Sequence, residues 1–375
     1  MTTLTWVSCD LKTGDVIADL PGLEVEKVGK TLSRFTSTTA NLPLPTAPEN
    51  WPRAVLQGAS VLWLLTDNIP TWGGMVTEAE RNQTDVIPIS LATVEAYLDR
   101  KFVGDEVFLQ VGQNVIVQTL VDKYAAAGSN GGIPIRVVFT TPGDGKLRDL
   151  KLADDEDKSL YSVLQALAGL KGGPEWTIVG ERQHEPERIT FVLLVGDRVG
   201  VAAPAGLGPQ ATFDMPGCVT DFKIRSSYAN GSGANDVMAV STATADVRPQ
   251  SAHQIVLDDI RPTFEERWTP STSITITETL DDHAAAALAI LRNGSAAVSL
   301  TASTDAAPQL DTDWGIGDDI GYVIGGTIGE VPDQVESVPS VPGGLAGVAR
   351  CIGWEQTFGA NPTITPTLLA TTLET

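Results

Sequence analysis

The apolar and polar positions of the first 90 residues alternate in short runs, each bounded by turn-forming residues. Residues 4–9, 15–18, 23–27, 31–37, 54–57, 61–65, 74–80 and 85–89 read as strands, because a period of two places one set of side chains on one face. Over 31–37, for example, Leu32, Arg34 and Thr36 alternate with Ser33, Phe35 and Ser37. Between the runs stand Asp10 to Gly14, Leu20-Pro21-Gly22, the proline-rich stretch 41–52 and Asp67-Asn68-Ile69-Pro70. Closely spaced strands without a helical period predict a small antiparallel barrel or sandwich.

From 90 to about 200 the period lengthens. Ser90 is a candidate cap for a helix with the stripe Leu91, Val94, Tyr97 and Leu98. A second helix is expected over 112–127, with Val115, Ile116, Leu120 and Tyr124 on one face and Gly128 as its stop. The β-branched run 133–140 follows. A third helix is expected to start at the acidic cluster Asp154 to Asp157, which suits the positive end of a helix dipole, and to carry Leu160, Val163, Leu164, Leu167 and Leu170. Residues 176–179 and 188–195 then read as a hairpin, making this stretch an α+β module.

Strands return after about 212, at 218–226, 236–241, 273–279, 297–301, 319–324 and 346–356, interrupted by an alanine-rich helix over 281–292. Stretches 202–209 and 329–344 concentrate Pro, Gly and Ser and read as linkers. The expected fold class is mainly β with an α+β insert: two small tube-like antiparallel barrels flanking the α+β domain. The expected domains are an N-terminal β-barrel at 1–90, the α+β domain at 91–211, and a second barrel at 212–375 with the inserted alanine-rich helix and C-terminal strands. A faint echo links the barrels: Met75 to Glu80 followed by Val86-Ile87-Pro88 resembles Cys351 to Glu355 followed by Ile364-Thr365-Pro366.

A length of 375 residues allows more than one core, and 42% hydrophobic with 19% charged residues is a folding composition. The balance of 47 acidic against 25 basic residues, net −22, repels phosphate and anionic lipid surfaces and argues against a protein that grips duplex DNA. It remains compatible with a wall past which DNA slides. The N-terminus has no basic and apolar leader pattern, and no run of about 18 apolar residues occurs, so neither a secretory signal nor a membrane-spanning helix is expected. The three cysteines, Cys9, Cys218 and Cys351, lie far apart, which predicts reduced, buried thiols.

Chemistry is sparse. The three histidines, His184, His253 and His283, share no ligand spacing, and no phosphate-cradling loop, dinucleotide fingerprint or Gly-x-Ser-x-Gly elbow is present. The segment from Asp311 to Asp319 comes closest to a calcium loop, but Ile316 stands where glycine is needed and Tyr322 where the closing carboxylate belongs. A polar turn leading into a strand is the expected reading. Paired carboxylates for glycoside hydrolysis are not singled out among 47 acidic residues. No catalytic, cofactor or metal residue is therefore assigned. Trp63 and Trp72, on adjacent strands across the Asp67 to Pro70 turn, are expected to pair across the hairpin and to pack in a core or interface, with a sugar-binding platform as the alternative.

The stretch from Ser60-Val-Leu-Trp-Leu-Leu-Thr-Asp-Asn-Ile-Pro-Thr-Trp-Gly-Gly-Met-Val76, continuing from Asp85 to Val103, resembles the minor tail or tail-hub proteins of siphophages infecting actinobacteria. Asn235-Asp-Val-Met-Ala-Val240, the residues from Asp281 through Asp319, and Arg350-Cys-Ile-Gly-Trp-Glu355 resemble the same family. The resemblance covers most of the chain and is similar to the hub proteins of contractile-tailed phages. It implies a non-enzymatic structural protein of the virion. It further implies a homotrimeric ring that closes the distal tail tube, adapts a six-fold tube to a three-fold tip through two barrels per chain, and lets DNA pass. The implied partners are the tail-tube or distal tail protein, the tape-measure protein and other tail-tip or fibre proteins. Sequence-specific nucleic-acid binding and membrane insertion are not expected; the implied place is the phage tail tip, assembled in the host cytoplasm. The alternative is a tail-tip receptor- or glycan-binding β protein.

Overall fold

The computed structural model describes residues 3–128, 131–170, 172–241, 248–257, 260–270, 277–327, 335–336, 338–341 and 343–369. Contacts divide the chain into two compact units, the first formed by the described residues of Met1–Asp221 and Leu300–Thr367, the second by those of Phe222–Ser299 and Leu368–Thr375. Residues after 300 thus complete the first unit.

The first unit opens with a seven-stranded antiparallel sheet in the order Val16–Asp19, Leu4–Asp10, Ser60–Thr66, Ile69–Ala79, Val86–Thr93, Ser37–Pro43 and Glu24–Val25. Its third strand, Ser60–Thr66, is buried at every position. The reason is that both faces of the sheet are covered, which favours an uninterrupted apolar run. Val61, Trp63 and Leu65 join a core with Cys9 of the same sheet and with Ile116, Leu164, Trp176 and Phe191 from the α+β module. Leu62 and Leu64, alternating with them, point to the other face.

The predicted turn at 67–70 is there, with Asp67 and Asn68 at φ +48° and +71° between paired Thr66 and Ile69. Two consecutive left-handed residues match the right-handed twist of a hairpin, and Asp and Asn tolerate that region best after glycine. Strand 31–37 is not formed. Lys27–Thr31 ends there, Ser33 takes φ +56°, and a separate strand, Ser37–Pro43, begins beyond. Residues 54–57 are likewise not a strand but follow the short helix Trp51–Ala54.

In the α+β module, Ile135–Phe139 pairs in parallel with Glu187–Gly196, which forms a hairpin with Glu175–His184. Helices Gln113–Tyr124 and Leu160–Ala168 contribute Ile116, Val117, Leu120, Val121, Leu160, Val163, Leu164 and Leu167 to the shared core. Three expectations are adjusted. The helix proposed from Ser90 is a 3-10 helix, Val94–Arg100, because Ser90 and Leu91 belong to strand Val86–Thr93. The 112–127 helix turns Val117 and Val121 inward in place of Val115, with Tyr124 half-buried against the same core. The acidic cluster forms its own turn, Asp154–Glu156, and the cap of the third helix is Ser159, whose Oγ accepts the Ser162 N–H at 3.1 Å.

The second large sheet has the order Thr212–Met215, Asp319–Ile324, Leu345–Thr357, Thr363–Leu368, Ser295–Ser303 and Val219–Ser227, with Lys27–Thr31 pairing antiparallel to Leu345–Thr357. The two echoing motifs both fall on neighbouring strands, Ile69–Ala79 beside Val86–Thr93 and Leu345–Thr357 beside Thr363–Leu368. The chain is thus mainly β with an α+β insert, as its patterning implied. The second unit carries the three-stranded sheet Gln254–Ile255, Asp236–Ala239 and Glu265–Trp268. Helix Thr277–Leu291 packs Leu280, Ala284 and Leu288 on Val237 and Ala239. The strand expected over 273–279 lies outside the described residues up to 276 and is helical from Thr277. Of the expected 329–344 linker, only 335–336, 338–341 and 343–344 are described.

Candidate assembly surfaces

Distant segments of the first unit are joined by charged groups that are themselves paired. Lys30, on strand Lys27–Thr31, is buried; its Nζ donates to the Ile178 carbonyl and lies 3.7 Å from Glu95 Oε1. Glu95, on the 3-10 helix, in turn accepts the Ile178 N–H at 3.0 Å and the Thr177 hydroxyl at 3.4 Å. Each charge thus has both an opposite charge and hydrogen bonds, the condition under which a buried ion pair is tolerated.

A second joint surrounds the acidic segment after Asp311. Arg350 grips both carboxylate oxygens of Glu175 and donates to the Val199 carbonyl at 2.9 Å and the Gly317 carbonyl at 3.1 Å. Arg198 donates to Asp319 Oδ1 at 2.6 Å. Burial pushes the Asp319 carboxyl up, but Arg198, the Ala203 N–H at 2.9 Å and the nearby Arg350 charge outweigh it and hold it below the usual carboxylate range. Asp318 accepts N–H groups from Gly315 and Val201, and Asp313 accepts one from Gln309. These carboxylates cap backbone, so the segment is a polar turn into strand Asp319–Ile324. Among the described residues no group of three or more His, Cys, Asp or Glu is arranged to hold a metal.

Both tryptophans of the predicted hairpin fill the interior. Trp63 and Trp72 are 2% and 1% exposed, so neither ring offers a platform for a sugar. They do not pair with each other either. The hairpin register slips after Leu65↔Pro70: Thr71 is skipped, Trp72 faces Leu64, and Trp63 faces Gly73. The bulged Thr71 hydroxyl donates to the Leu64 carbonyl at 3.2 Å. Trp63 stacks on Phe191 with centroids 5.8 Å apart, whereas Trp72 meets Trp6 edge-on at 6.0 Å and donates its indole N–H to the Gly29 carbonyl at 3.0 Å. The glycine pair beside Trp72 follows from this packing. A Cβ on Gly73 would lie 2.5 Å from the Trp63 ring, and one on Gly74 2.3 Å from the Trp72 ring.

The histidines stay apart. His253 Nδ1 lies 2.8 Å from Asp236 Oδ1 in the second unit, and His283 meets Trp268 edge-on at 5.9 Å. The three cysteines are free and buried, and burial pushes the Cys9 and Cys351 thiols up to about 12. What the surface offers instead is strand edge and apolar area. The ribbon of Glu106–Gly112 and Leu147–Leu152 leaves Val107, Leu109 and Leu147 exposed, and a groove of about 480 Å³ opens between Leu4 and Val25. Sequence reasoning missed the groove because its walls come from residues 4–6, 23–26 and 358–359, which only the folded chain brings together.

This fold is similar to that of solved phage tail proteins. The tail protein from Neisseria meningitidis MC58 superposes with a TM-score of 0.59 at 13% identity, over 98% of this chain and 96% of that one. The 43 kDa tail protein of prophage MuSo2 from Shewanella oneidensis gives 0.57 at 10% identity, covering 98% of both chains. A prophage tail protein from Listeria monocytogenes gives 0.52 at 8% identity over 97% of this chain and 94% of that chain. No family model and no curated protein matches the chain by sequence. The resemblance carried by residues 60–103 and 350–355 therefore holds at the level of fold.

Proposed function

We propose that this chain is a structural, non-enzymatic tail-hub protein that assembles as a homotrimeric ring at the distal end of a phage tail tube. The observation that carries the reading is the end-to-end likeness to tail proteins, over 98% of this chain and 96% or more of the Neisseria and Shewanella chains. Two large sheets per chain support six tube-like elements in a trimer, which would match a six-fold tube to a three-fold tip. A net charge of −22 suits a channel through which DNA passes without phosphate contacts that would hold it back. Its partners would be the tube or distal tail protein, the tape-measure protein and further tip or fibre proteins. Its place would be the virion tail tip, after assembly in the host cytoplasm.

Light scattering across a concentration series tests the ring. The expected mass is about 119 kDa, three times 39.6 kDa. A dimer, or a monomer that persists when tail-tube protein is added, overturns it. The receptor-binding alternative loses Trp63 and Trp72 as its platform, because both are buried.

A further inference from the structure

The groove of about 480 Å³ in the first unit is lined by both apolar and acidic residues. Its floor is apolar: Trp6 and Phe358 meet edge-on at 6.1 Å, beside buried Leu23 and Val25. Phe358 is fixed in place because its N–H donates to the Glu26 carbonyl at 2.9 Å. The rim carries exposed Glu24 and Glu26. Neither carboxylate is in ion-pair contact with a basic group among the described residues, and neighbouring Lys27 is engaged by Glu355 at 2.9 Å.

The long walls are sheet edges. Strand Leu4–Asp10 pairs with Val16–Asp19 only from Val7 onward, and the Leu20 N–H reaches Trp6 O at 2.8 Å, so Leu4 and Thr5 run on past that partner. Opposite them, Glu24–Val25 is the last strand of the sheet, paired on one side with Asn41 and Ala40. The sheet therefore stops short of closing, and its apolar interior opens between two strand edges.

We infer that this groove is a docking site for an extended segment of a partner protein in which lysine or arginine flanks a large apolar side chain. Each part of the groove selects one part of that ligand. Strand edges offer main-chain hydrogen bonds to an extended backbone, the mode of strand addition. The aromatic floor takes one bulky apolar side chain. Two unpaired carboxylates at the rim attract cations on either side of it and repel a second copy of this acidic chain. The inference goes beyond the hub reading and holds for a ring or a monomer alike, because every wall belongs to one chain.

The test uses the full chain and two labelled synthetic pentapeptides, Lys-Val-Leu-Val-Lys and Glu-Val-Leu-Val-Glu, capped at both ends, read by fluorescence anisotropy. The lysine peptide is expected to bind saturably, and roughly tenfold or more tighter than the glutamate peptide. The double variant Glu24→Lys/Glu26→Lys is expected to weaken the lysine peptide by a similar factor, and added salt to weaken it on wild type. Hydrogen exchange gives a second readout without a variant: the lysine peptide should slow exchange at residues 4–6 and 23–26. Absence of saturable binding, equal binding of both peptides, wild-type affinity in the double variant, or unchanged exchange at those residues overturns the proposal. The mass measurement bears only on the ring, so the two readings fail separately.

Discussion

Arg350 and Glu175 stand 175 residues apart in the chain and meet as a two-pronged ion pair, with the Arg350 guanidinium also reaching the Val199 and Gly317 carbonyls. The α+β hairpin and strand Leu345–Thr357 are thereby fixed to one another through a planar fork, a geometry that lysine cannot reproduce. Arg350→Lys is expected to destabilise the protein by about 1.5–3 kcal/mol, the range for hydrogen bonds to charged groups, seen as a lower denaturant midpoint.

Lys30 and Glu95 are more deeply placed. Lys30→Met leaves Glu95 buried without its counter-charge, an expected loss of about 3–5 kcal/mol. The double variant Lys30→Met/Glu95→Gln should recover part of that loss, since no isolated charge remains. Chemical denaturation of all three proteins checks the ordering.

Packing of the tryptophans predicts a steric result. Gly73→Ala pushes a methyl group to 2.5 Å from the Trp63 ring, which Phe191 supports from stacking distance, and is expected to cost about 1–3 kcal/mol. Gly58→Ala, where a Cβ meets nothing within 4 Å, is the control for backbone strain at φ +66°. Thermal unfolding followed by near-ultraviolet circular dichroism separates the two.

The Asp319 carboxyl is held below its ordinary value in the folded chain by Arg198 and the Ala203 N–H. The unfolded chain therefore takes up the proton first. This contribution to stability is fully present above about pH 4 and is lost as pH falls through the folded-state value. Asp319→Asn should flatten the acid side of a stability profile below about pH 4, while lowering stability at pH 7. An acid limb as steep as that of the wild type counts against the assignment.

Cys9 and Cys351, with thiols pushed up to about 12, hold almost no thiolate at pH 8. Iodoacetamide is expected to leave both unlabelled in the native protein and to label both after unfolding, which peptide mass spectrometry reads directly.

Where short-range pattern decides the structure, the sequence is legible. The apolar run 61–65, the Asp67–Asn68 turn and the hairpin of 176–195 all form as their residues imply. The misreadings have local causes that a period count does not register. Thr71 bulges out and shifts Trp72 by one place, which separates it from Trp63. Ser33 takes a left-handed turn in the middle of an alternating run, and Ser159 rather than the acidic cluster caps its helix. The groove lay further out of reach, because nothing in the sequence shows that residues 4–6, 23–26 and 358 become neighbours.

The pairing of Lys27–Thr31 with residues 353–357 has a consequence for biogenesis. At a synthesis rate of roughly 5–20 residues per second, the early strand waits on the order of 15–60 s for a partner that has not yet left the ribosome. Throughout that interval the nascent chain displays a strand edge with no internal mate. Residues 353–357, made much later, are the segment that covers that edge.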